Sequence, residues 1–213
     1  MNVAILFECS GKVRDAFRAL GHNAVSVDIQ PDDNDSQYHY EMDIEDFFTC
    51  EETAQHCFNA PMYDLIIMHP PCTALACSGN RWYGKGMPRH EERQKSTIQT
   101  VQWLNRAKNL AHHVALENPV GVLSDILGKP QYIQPWQFGH GETKKTGLWL
   151  YSLPELQPTK IVEGRENRIW RMPPSEGRAK MRSETYQGIA DAMAKQWSEY
   201  ILDNKGENND TVK

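Results

Sequence analysis

The chain has 213 residues, of which 39% are hydrophobic and 24% charged, and its formal net charge is −5. This length suits a single α/β domain with one continuous core, and the composition is ordinary for a globular protein. No apolar run approaches the roughly 18 residues of a membrane-spanning helix, and the N-terminus lacks the basic region of a signal peptide, so we expect a cytoplasmic protein with no membrane partner.

Strand and helix patterns alternate along the first 70 residues. The predicted strands are short apolar segments at residues 3–7, 24–28, 40–44 and 63–68. The predicted helices are residues 12–20, with Gly21 as the C-terminal cap, and residues 51–58. Residues 31–36 are acidic and rich in turn formers, which indicates a loop. This alternation is typical of a parallel sheet covered by helices.

The second half of the chain continues the alternation and then becomes less regular. A loop at 78–88 precedes a long helix at 91–111, with Ile98, Val101, Leu104 and Ala111 facing inward. The remaining predicted elements are strands at 114–116, 132–138 and 147–151, an irregular segment at 154–182, a helix at 183–202 and a disordered tail from 203. The sequence therefore predicts an α/β fold with a doubly wound, mostly parallel sheet.

One group of candidate residues follows the first three predicted strands. Phe7, Glu8, Ser10 and Gly11 lie between a strand and a helix, where glycine allows close backbone approach and helix amides can bind a ligand. The residues that close the next two strands are Asp28, Ile29, Asp43 and Ile44. A strand-end acid binds ribose hydroxyls in doubly wound folds, and the alternative is a helix cap. Together these residues predict a site for a nucleoside-like cofactor.

The most specific cluster is His69-Pro70-Pro71-Cys72, directly after the buried strand at 63–68. Two prolines stiffen the loop and fix the direction of the next side chain, so Cys72 is presented at the open edge of the sheet. The chain has five cysteines and no Cys-x-x-Cys, which argues against a disulfide framework or a structural zinc site. The alternative interpretation of Cys72 is an inert, buried thiol.

A carboxylate closes the following strand, in Glu117-Asn118-Pro119. Because the carboxyl ends of neighbouring strands converge, Glu117 can reach the same substrate as Cys72; otherwise it caps the next segment. The loop after Cys72 carries Arg81 and Trp82, which suit contact with an extruded base or, alternatively, the anchoring of a lid.

Charge is distributed unevenly along the chain. Residues 1–70 hold 3 basic and 13 acidic residues, whereas residues 143–182 hold 9 basic and 4 acidic ones. Phosphate contacts need a basic surface, so we expect the later segment to contact a nucleic-acid backbone through Arg165, Arg168 and Arg171. The alternative is a solvated basic face without a partner.

In their order along the chain, these motifs resemble those of the DNA cytosine-5 methyltransferases. The order is Phe-x-x-x-Gly, a strand-end Asp, Asp-Ile, Pro-Pro-Cys and, 45 residues after the cysteine, Glu-Asn. The resemblance covers roughly residues 1–150. It returns at residues 186–193, which are similar to the family's C-terminal glycine-bearing motif.

The resemblance implies a Rossmann-like methyltransferase fold, S-adenosyl-L-methionine (SAM) as cofactor and DNA as partner. Cys72 would be the nucleophile that adds to the cytosine ring, and Glu117 the acid at ring nitrogen 3. Lys144 and Lys145 are the nearest match to the family's pair of basic residues. The implied SAM pocket comprises Phe7, Glu8, Ser10, Gly11, Asp28, Ile29, Asp43, Ile44 and Pro70.

This mechanism carries two expectations about protonation. The thiolate is the reactive form of cysteine, so we expect a depressed pKa for Cys72. A carboxyl that donates a proton at neutral pH needs a pKa raised by burial, so we expect a raised pKa for Glu117.

The implied organisation is a SAM-binding core at 1–130, a reduced target-recognition region at 131–182, a helix that completes the core at 183–203 and a tail at 204–213. Because that recognition region is short, we expect relaxed recognition or a protein partner that supplies it. Three alternatives stay open: an amino-methyltransferase, a non-catalytic binder with this fold, and an enzyme for another nucleic acid or a nucleotide. His69 before the prolines and Cys72 after them disfavour the first.

Overall fold

The computed structural model describes residues 1–58, 62–173 and 178–210. The strands of this described part are β1 (Asn2–Leu6), β2 (Asn23–Asp28), β3 (His39–Glu41), β4 (Tyr63–Met68), β5 (Ala111–Pro119), β6 (Gln131–Ile133) and β7 (Thr146–Tyr151). Its helices are α1 (Lys12–Ala19), α2 (Ile44–Phe58), α3 (Asn80–Tyr83), α4 (His90–Leu110), α5 (Leu123–Leu127), α6 (Arg168–Arg171), α7 (Arg178–Ser183) and α8 (Gln187–Asp210).

The strands form one sheet in the order β3-β2-β1-β4-β5-β7-β6. The first five strands pair in parallel, and β7 is antiparallel to both β5 and β6. The chain winds outward from β1 to β3 and then returns to β4 on the other side of β1. Such a reversal opens a crevice at the carboxyl ends of the strands. The predicted doubly wound, mostly parallel sheet is confirmed.

Both faces of the sheet are buried, which is why its central strands are continuously apolar. All four residues from Leu65 to Met68 are fully buried. Helices α1 and α8 pack on one face, where Phe17 and Trp197 are fully buried, and α2 and α4 cover the other. Among the described helices, none has the length and apolar character required to cross a bilayer.

Two helices differ from their predicted form. Helix α2 begins at Ile44 rather than at residue 51, because the Asp43 carboxylate accepts a hydrogen bond from the Glu45 amide (2.8 Å) and caps the helix earlier. In α4, Ile98 was predicted to face inward but is 60% exposed. The buried face instead includes Thr97 and Thr100. Their hydroxyls donate to backbone carbonyls one turn back, so these polar groups have hydrogen-bond partners within the helix.

The region after residue 130 also departs from the prediction. The strand predicted at 132–138 ends at Ile133, because Pro135 has no amide for a ladder and begins a short 3-10 turn. The segment at 154–182, predicted to be irregular, contains α6 and α7. The last helix begins at Gln187 and continues to Asp210, so residues 204–210 are helical where a disordered tail was predicted; residues 211–213 lie outside the described part.

A buried ion pair anchors the loop after β2 to α1. The Arg14 side chain is fully buried and donates to Asp32, whose side chain is 3% exposed, and to the Ser26 hydroxyl (2.9 Å). Burial alone would raise the pKa of Asp32, but the Arg14 guanidinium and the amides of Asn34 and Ser36 hold that pKa below its usual range. This loop borders the crevice, so the ion pair supports its wall.

Replacing Arg14 by Met leaves the Asp32 charge buried and unpaired. We expect a loss of about 3–5 kcal/mol in the free energy of unfolding, the usual cost of removing one partner of a buried pair. Urea denaturation measures it. The matched control is Arg14→Met with Asp32→Asn, which removes both charges and should recover most of the loss. Equal destabilisation of the single and double variants would contradict this account.

Candidate active site

The turn between β1 and α1 has an unusual backbone. Phe7 and Gly11 have φ values of 63° and 69°. A Cβ at Gly11 would also lie 2.3 Å from the Arg14 guanidinium, so no other residue fits there without movement. The Phe7 ring packs on Trp103 with their centroids 4.9 Å apart. The turn is therefore held in one conformation at the edge of the crevice.

Glu8 is engaged with its own helix. Its carboxylate accepts hydrogen bonds from the amides of Val13 (2.8 Å) and Arg14 (3.2 Å), and the Ser10 hydroxyl lies 3.5 Å from it. Burial raises the pKa of Glu8. This carboxylate takes the place at the N-terminus of α1 that we expected a ligand to occupy.

The next strand ends divide into two kinds. Asp28 is half-buried, one of its oxygens accepts from the Gln30 amide (2.9 Å), and burial raises its pKa. Ile29 beside it is 67% exposed. Asp43 instead caps α2, and Ile44 is buried in the core. Asp28, Ile29 and the exposed Asp43 are accessible to a ligand, whereas Ile44 has a structural role.

The loop after β4 is bound to both neighbouring strands. The His69 amide donates to Leu6 O (3.0 Å), and the Asn118 side chain donates to Pro70 O (3.0 Å). The amides of Leu75 and Ala76 both donate to Cys72 O, at 3.0 and 2.9 Å, which closes a tight turn. The Cys72 side chain is consequently fixed and half-buried at the carboxyl edge.

Glu117 lies at the same edge, on the adjacent strand β5. Its Oε2 is 3.0 Å from His69 Nδ1, and the Thr146 hydroxyl, which donates to Lys144 O (3.2 Å), is close enough to favour the charged carboxylate. Burial favours a higher pKa for Glu117, but these hydrogen bonds and the charge of Lys144 outweigh it and lower that pKa. The expected raised pKa is therefore wrong for the free protein, because the sequence motif gave no sign of these partners.

The pKa of Cys72 also differs from its expectation. Burial raises it, and the negative charge of Glu117 raises it further. Lys144 and Arg182 act in the opposite direction without reversing the shift. In the free protein the thiol is therefore held in its protonated form, and the expected depressed pKa is wrong.

The two lysines of the predicted basic pair, just before β7, differ in their burial and contacts. Lys144 is close enough to Glu117 and Cys72 to change the pKa of both, and its Nζ donates to Glu184 O (3.0 Å). Burial lowers the pKa of Lys144. Lys145 is exposed, with its Nζ 4.1 Å from the ring centroid of Tyr132. Only the first of the pair joins the site.

Sequence reasoning missed two residues of this site. Arg182, half-buried on α7, supplies a second positive charge near Cys72. It falls in the basic segment at 143–182, so its charge was noted but not its position. His69 belongs to the Pro-Pro-Cys motif itself, and only the structure shows it bonded to Glu117.

The segment after Cys72 is held by a buried arginine. Arg93 of α4 donates to Ala74 O (2.6 Å), Ala76 O (3.1 Å) and Asn80 Oδ1 (2.7 Å). Three bonds from one buried guanidinium restrain the segment strongly. The loop is thereby ordered beside Cys72.

The surface candidates for nucleic-acid contact are all exposed, but several are engaged. Arg81 lies over the Trp82 ring at 5.0 Å, and Trp82 is 51% exposed. Arg165 donates to backbone carbonyls, and Arg168 pairs with Glu142 at 2.8 Å. Arg171 is exposed on α6.

Polar atoms without partners indicate where a ligand fits. Within the described residues, His69 Nε2 and Asn118 Oδ1 are buried and have no hydrogen-bond partner. A buried acceptor suits an amino or ammonium group, the open Asp28 oxygen suits a ribose hydroxyl, and exposed Ile29 suits an apolar ring face. These residues fit the polar and apolar parts of SAM.

The parallel order β3-β2-β1-β4-β5, continued by antiparallel β7, is the doubly wound α/β sheet that the sequence predicts. No family model matches the sequence, and no curated protein matches it. Among solved structures, the Dnmt2 methyltransferase of S. pombe has 16% identity and a TM-score of 0.44, over 80% of this chain and 54% of that chain.

Two further structures are similar to a comparable degree. The methyltransferase EhMeth of Entamoeba histolytica has 16% identity and a TM-score of 0.48, over 76% of this chain and 57% of its own. A triple mutant of Spodoptera frugiperda DNMT2 has 15% identity and a TM-score of 0.43, over 78% and 55%. This chain thus spans little more than half the length of these methyltransferases.

The unequal roles of Lys144 and Lys145 can be tested by alkylation of Cys72. Replacing Lys144 by Met removes a charge that lowers the pKa of Cys72, so the thiolate fraction at a given pH falls. We expect iodoacetamide to modify Cys72 several-fold more slowly, as followed by peptide mass spectrometry. Lys145→Met is the matched control and should react like the wild type. A slower reaction in both variants would contradict the geometry.

Proposed function

We propose that the chain transfers a methyl group from SAM to carbon 5 of cytosine in DNA through a covalent Cys72 adduct. The observation that carries this proposal is the proximity of three side chains. Cys72 and Glu117 lie at the carboxyl ends of adjacent strands, and Lys144, just before β7, is close enough to change the pKa of both. A thiol, a carboxylate and a buried cation at one crevice are what addition to a cytosine ring requires.

The residues divide the chemistry between them. Cys72 adds through its sulfur to carbon 6 of the ring, which places electron density on carbon 5 and replaces one difficult step by two easier ones. The Cys72 thiol gives up its proton to the Glu117 carboxylate as the sulfur adds, and the protonated Glu117 then donates to ring nitrogen 3, where the negative charge develops. SAM supplies the electrophilic methyl group. Loss of the carbon 5 proton to a base then lets the Cys72 sulfur leave as thiolate.

The protonation directions of the free protein suit a nucleophile that is activated only in the complex. With the crevice free of substrate, the anionic carboxylate of Glu117 keeps the pKa of Cys72 raised. A cytosine that bonds to this carboxylate disperses its charge, while Lys144 and Arg182 stay in place. The pKa of Cys72 then falls when the ring is in position. Until then the raised pKa keeps the thiol protonated, which protects it from other electrophiles.

Nucleic-acid contact and target choice are further parts of the proposal. Arg81 and Trp82 follow the Cys72 segment and present a stacked, half-exposed pair suited to an extruded or single-stranded base. Arg165 and Arg171 are exposed on the later basic segment. Because the described residues between 131 and 182 form two short strands and short helices, a protein partner would supply longer recognition elements.

Cofactor binding is tested through two acids that differ in their surroundings. Asp28→Asn removes a charged acceptor for ribose hydroxyls, and we expect SAM affinity to fall about 10- to 100-fold, as for a lost charged hydrogen bond. Isothermal titration calorimetry measures it. Asp46→Asn, a change at an exposed acid in the first turn of α2, should bind almost as tightly as the wild type. No binding to the wild type, or equal loss in both variants, would contradict the pocket.

The reaction itself is tested by nucleoside mass analysis after incubation of the protein with SAM and cytosine-containing DNA. We expect 5-methyldeoxycytidine. A nucleoside methylated on an exocyclic nitrogen would instead establish an amino-methyltransferase. SAM binding without any methylated product, on duplex DNA, single-stranded DNA, RNA or nucleotides, would establish a non-catalytic binder.

A further inference from the structure

His69 lies between the two strands that flank β4, and its ring is bound at one nitrogen only. Nδ1 is 3.0 Å from Glu117 Oε2, and the two side chains are 9% and 13% exposed. Because the pKa of Glu117 is lowered, its carboxylate is an acceptor at neutral pH, so Nδ1 carries the proton and donates it. The tautomer of His69 is thus set by this bond.

The other ring nitrogen of His69 has different surroundings. Nε2 is buried and has no hydrogen-bond partner in the described part of the chain. The charge that acts on the ring from the β1–α1 turn is Glu8, and the one from β5 is Glu117. Glu117 in turn interacts electrostatically with Lys144 and Cys72. His69 therefore lies between Glu8, in the β1–α1 turn of the proposed cofactor site, and Glu117, the carboxylate proposed to contact the base.

We propose that His69 is a positioning residue, which fixes the carboxyl plane of Glu117 in the orientation that meets the substrate base. This inference rests on the proposed function for the role of Glu117. A free glutamate side chain has several rotatable bonds, and holding it costs entropy at each turnover unless a partner has already fixed it. The His69 bond to Oε2, together with Thr146, supplies that restraint from outside the reacting atoms.

Supporting residues of this type change activity by about 10- to 100-fold when removed. We therefore expect His69→Ala to lower kcat for methyl transfer by that factor, with KM for DNA and SAM affinity nearly unchanged. His69→Asn carries an amide nitrogen on Cγ, where His has Nδ1, and should recover activity to within a few-fold. His113→Asn, at the opposite end of β5, is the control for loss of a histidine that bonds to a backbone carbonyl.

A second measurement does not depend on activity. The pKa of Glu117 can be followed by ¹³C NMR of glutamate-labelled protein, with Glu117→Gln used to assign the signal. We expect this pKa to rise in His69→Ala, because the bond that favours the charged carboxylate is gone, and to stay closer to the wild type in His69→Asn.

The two readouts separate the two ideas. A wild type that methylates no cytosine, but whose Glu117 pKa responds to His69→Ala, would overturn the proposed reaction and keep the positioning contact. Unchanged kcat and unchanged Glu117 pKa in His69→Ala would overturn the role of His69. A loss of activity that His69→Asn does not restore would also overturn it, provided that thermal melting shows both variants folded.

Discussion

Replacing Cys72 by Ser should abolish methyl transfer, with a loss on the order of 10⁴-fold or more, as when other covalent nucleophiles are removed. A hydroxyl at this position is a far weaker nucleophile than a thiolate, and the cytosine ring cannot be activated without addition at carbon 6. The change is small in volume, so the turn closed by Leu75 and Ala76 should persist. Transfer of tritiated methyl groups from SAM to DNA measures the loss.

Cys77 provides the matched control for this substitution. It lies five residues further along the same segment and is exposed. Cys77→Ser should retain activity close to that of the wild type. If Cys72→Ser stays active, or if Cys77→Ser loses as much, the assignment of the nucleophile is wrong and an amino-methyltransferase becomes the better interpretation.

Replacing Glu117 by Gln should have opposite effects on turnover and on thiol reactivity. Methyl transfer should fall about 10²- to 10⁴-fold, because the group that takes up charge at ring nitrogen 3 is lost. The pKa of Cys72 should fall, because the negative charge of Glu117 contributes to raising it in the wild type. Iodoacetamide should therefore modify Cys72 faster at neutral pH while catalysis slows.

The opposite signs make this variant a sharp test. A general loss of structure would also expose Cys72 and speed its alkylation, so thermal melting must first show that Glu117→Gln is folded. Glu142→Gln is a control carboxylate, because Glu142 pairs with Arg168 and Tyr186 away from the thiol. A slower or unchanged alkylation of Cys72 in Glu117→Gln would contradict the electrostatic account of the site.

The sequence predicted the fold and the position of Cys72 at the carboxyl edge of the sheet because both depend on local patterns. The apolar run at Tyr63–Met68 agrees with β4 at both ends, and the prolines that follow it end the strand whatever packs around them. Strand ends in a doubly wound sheet must converge, so Cys72 and Glu117 could be brought together without coordinates.

What the sequence could not give depends on contacts between distant segments. The lowered pKa of Glu117 results from His69, Lys144 and Thr146, which lie 27 to 48 residues from it along the chain. The raised pKa of Cys72 results from burial and from Glu117, 45 residues away. The sequence analysis paired Lys144 with Lys145 because the two are adjacent. Adjacent residues of an extended segment point to opposite faces, so only Lys144 joins the site.

The central claim is a covalent bond between Cys72 and the cytosine ring, and DNA containing 5-fluorocytosine tests it most directly. Fluorine at carbon 5 cannot leave as a proton does, so the adduct should persist after methyl transfer. We predict a shifted, SAM-dependent species on a denaturing gel with the wild type and with Cys77→Ser, and none with Cys72→Ser. A species that forms with Cys72→Ser, or product formation by the wild type on ordinary DNA with no trapped adduct, would contradict the account.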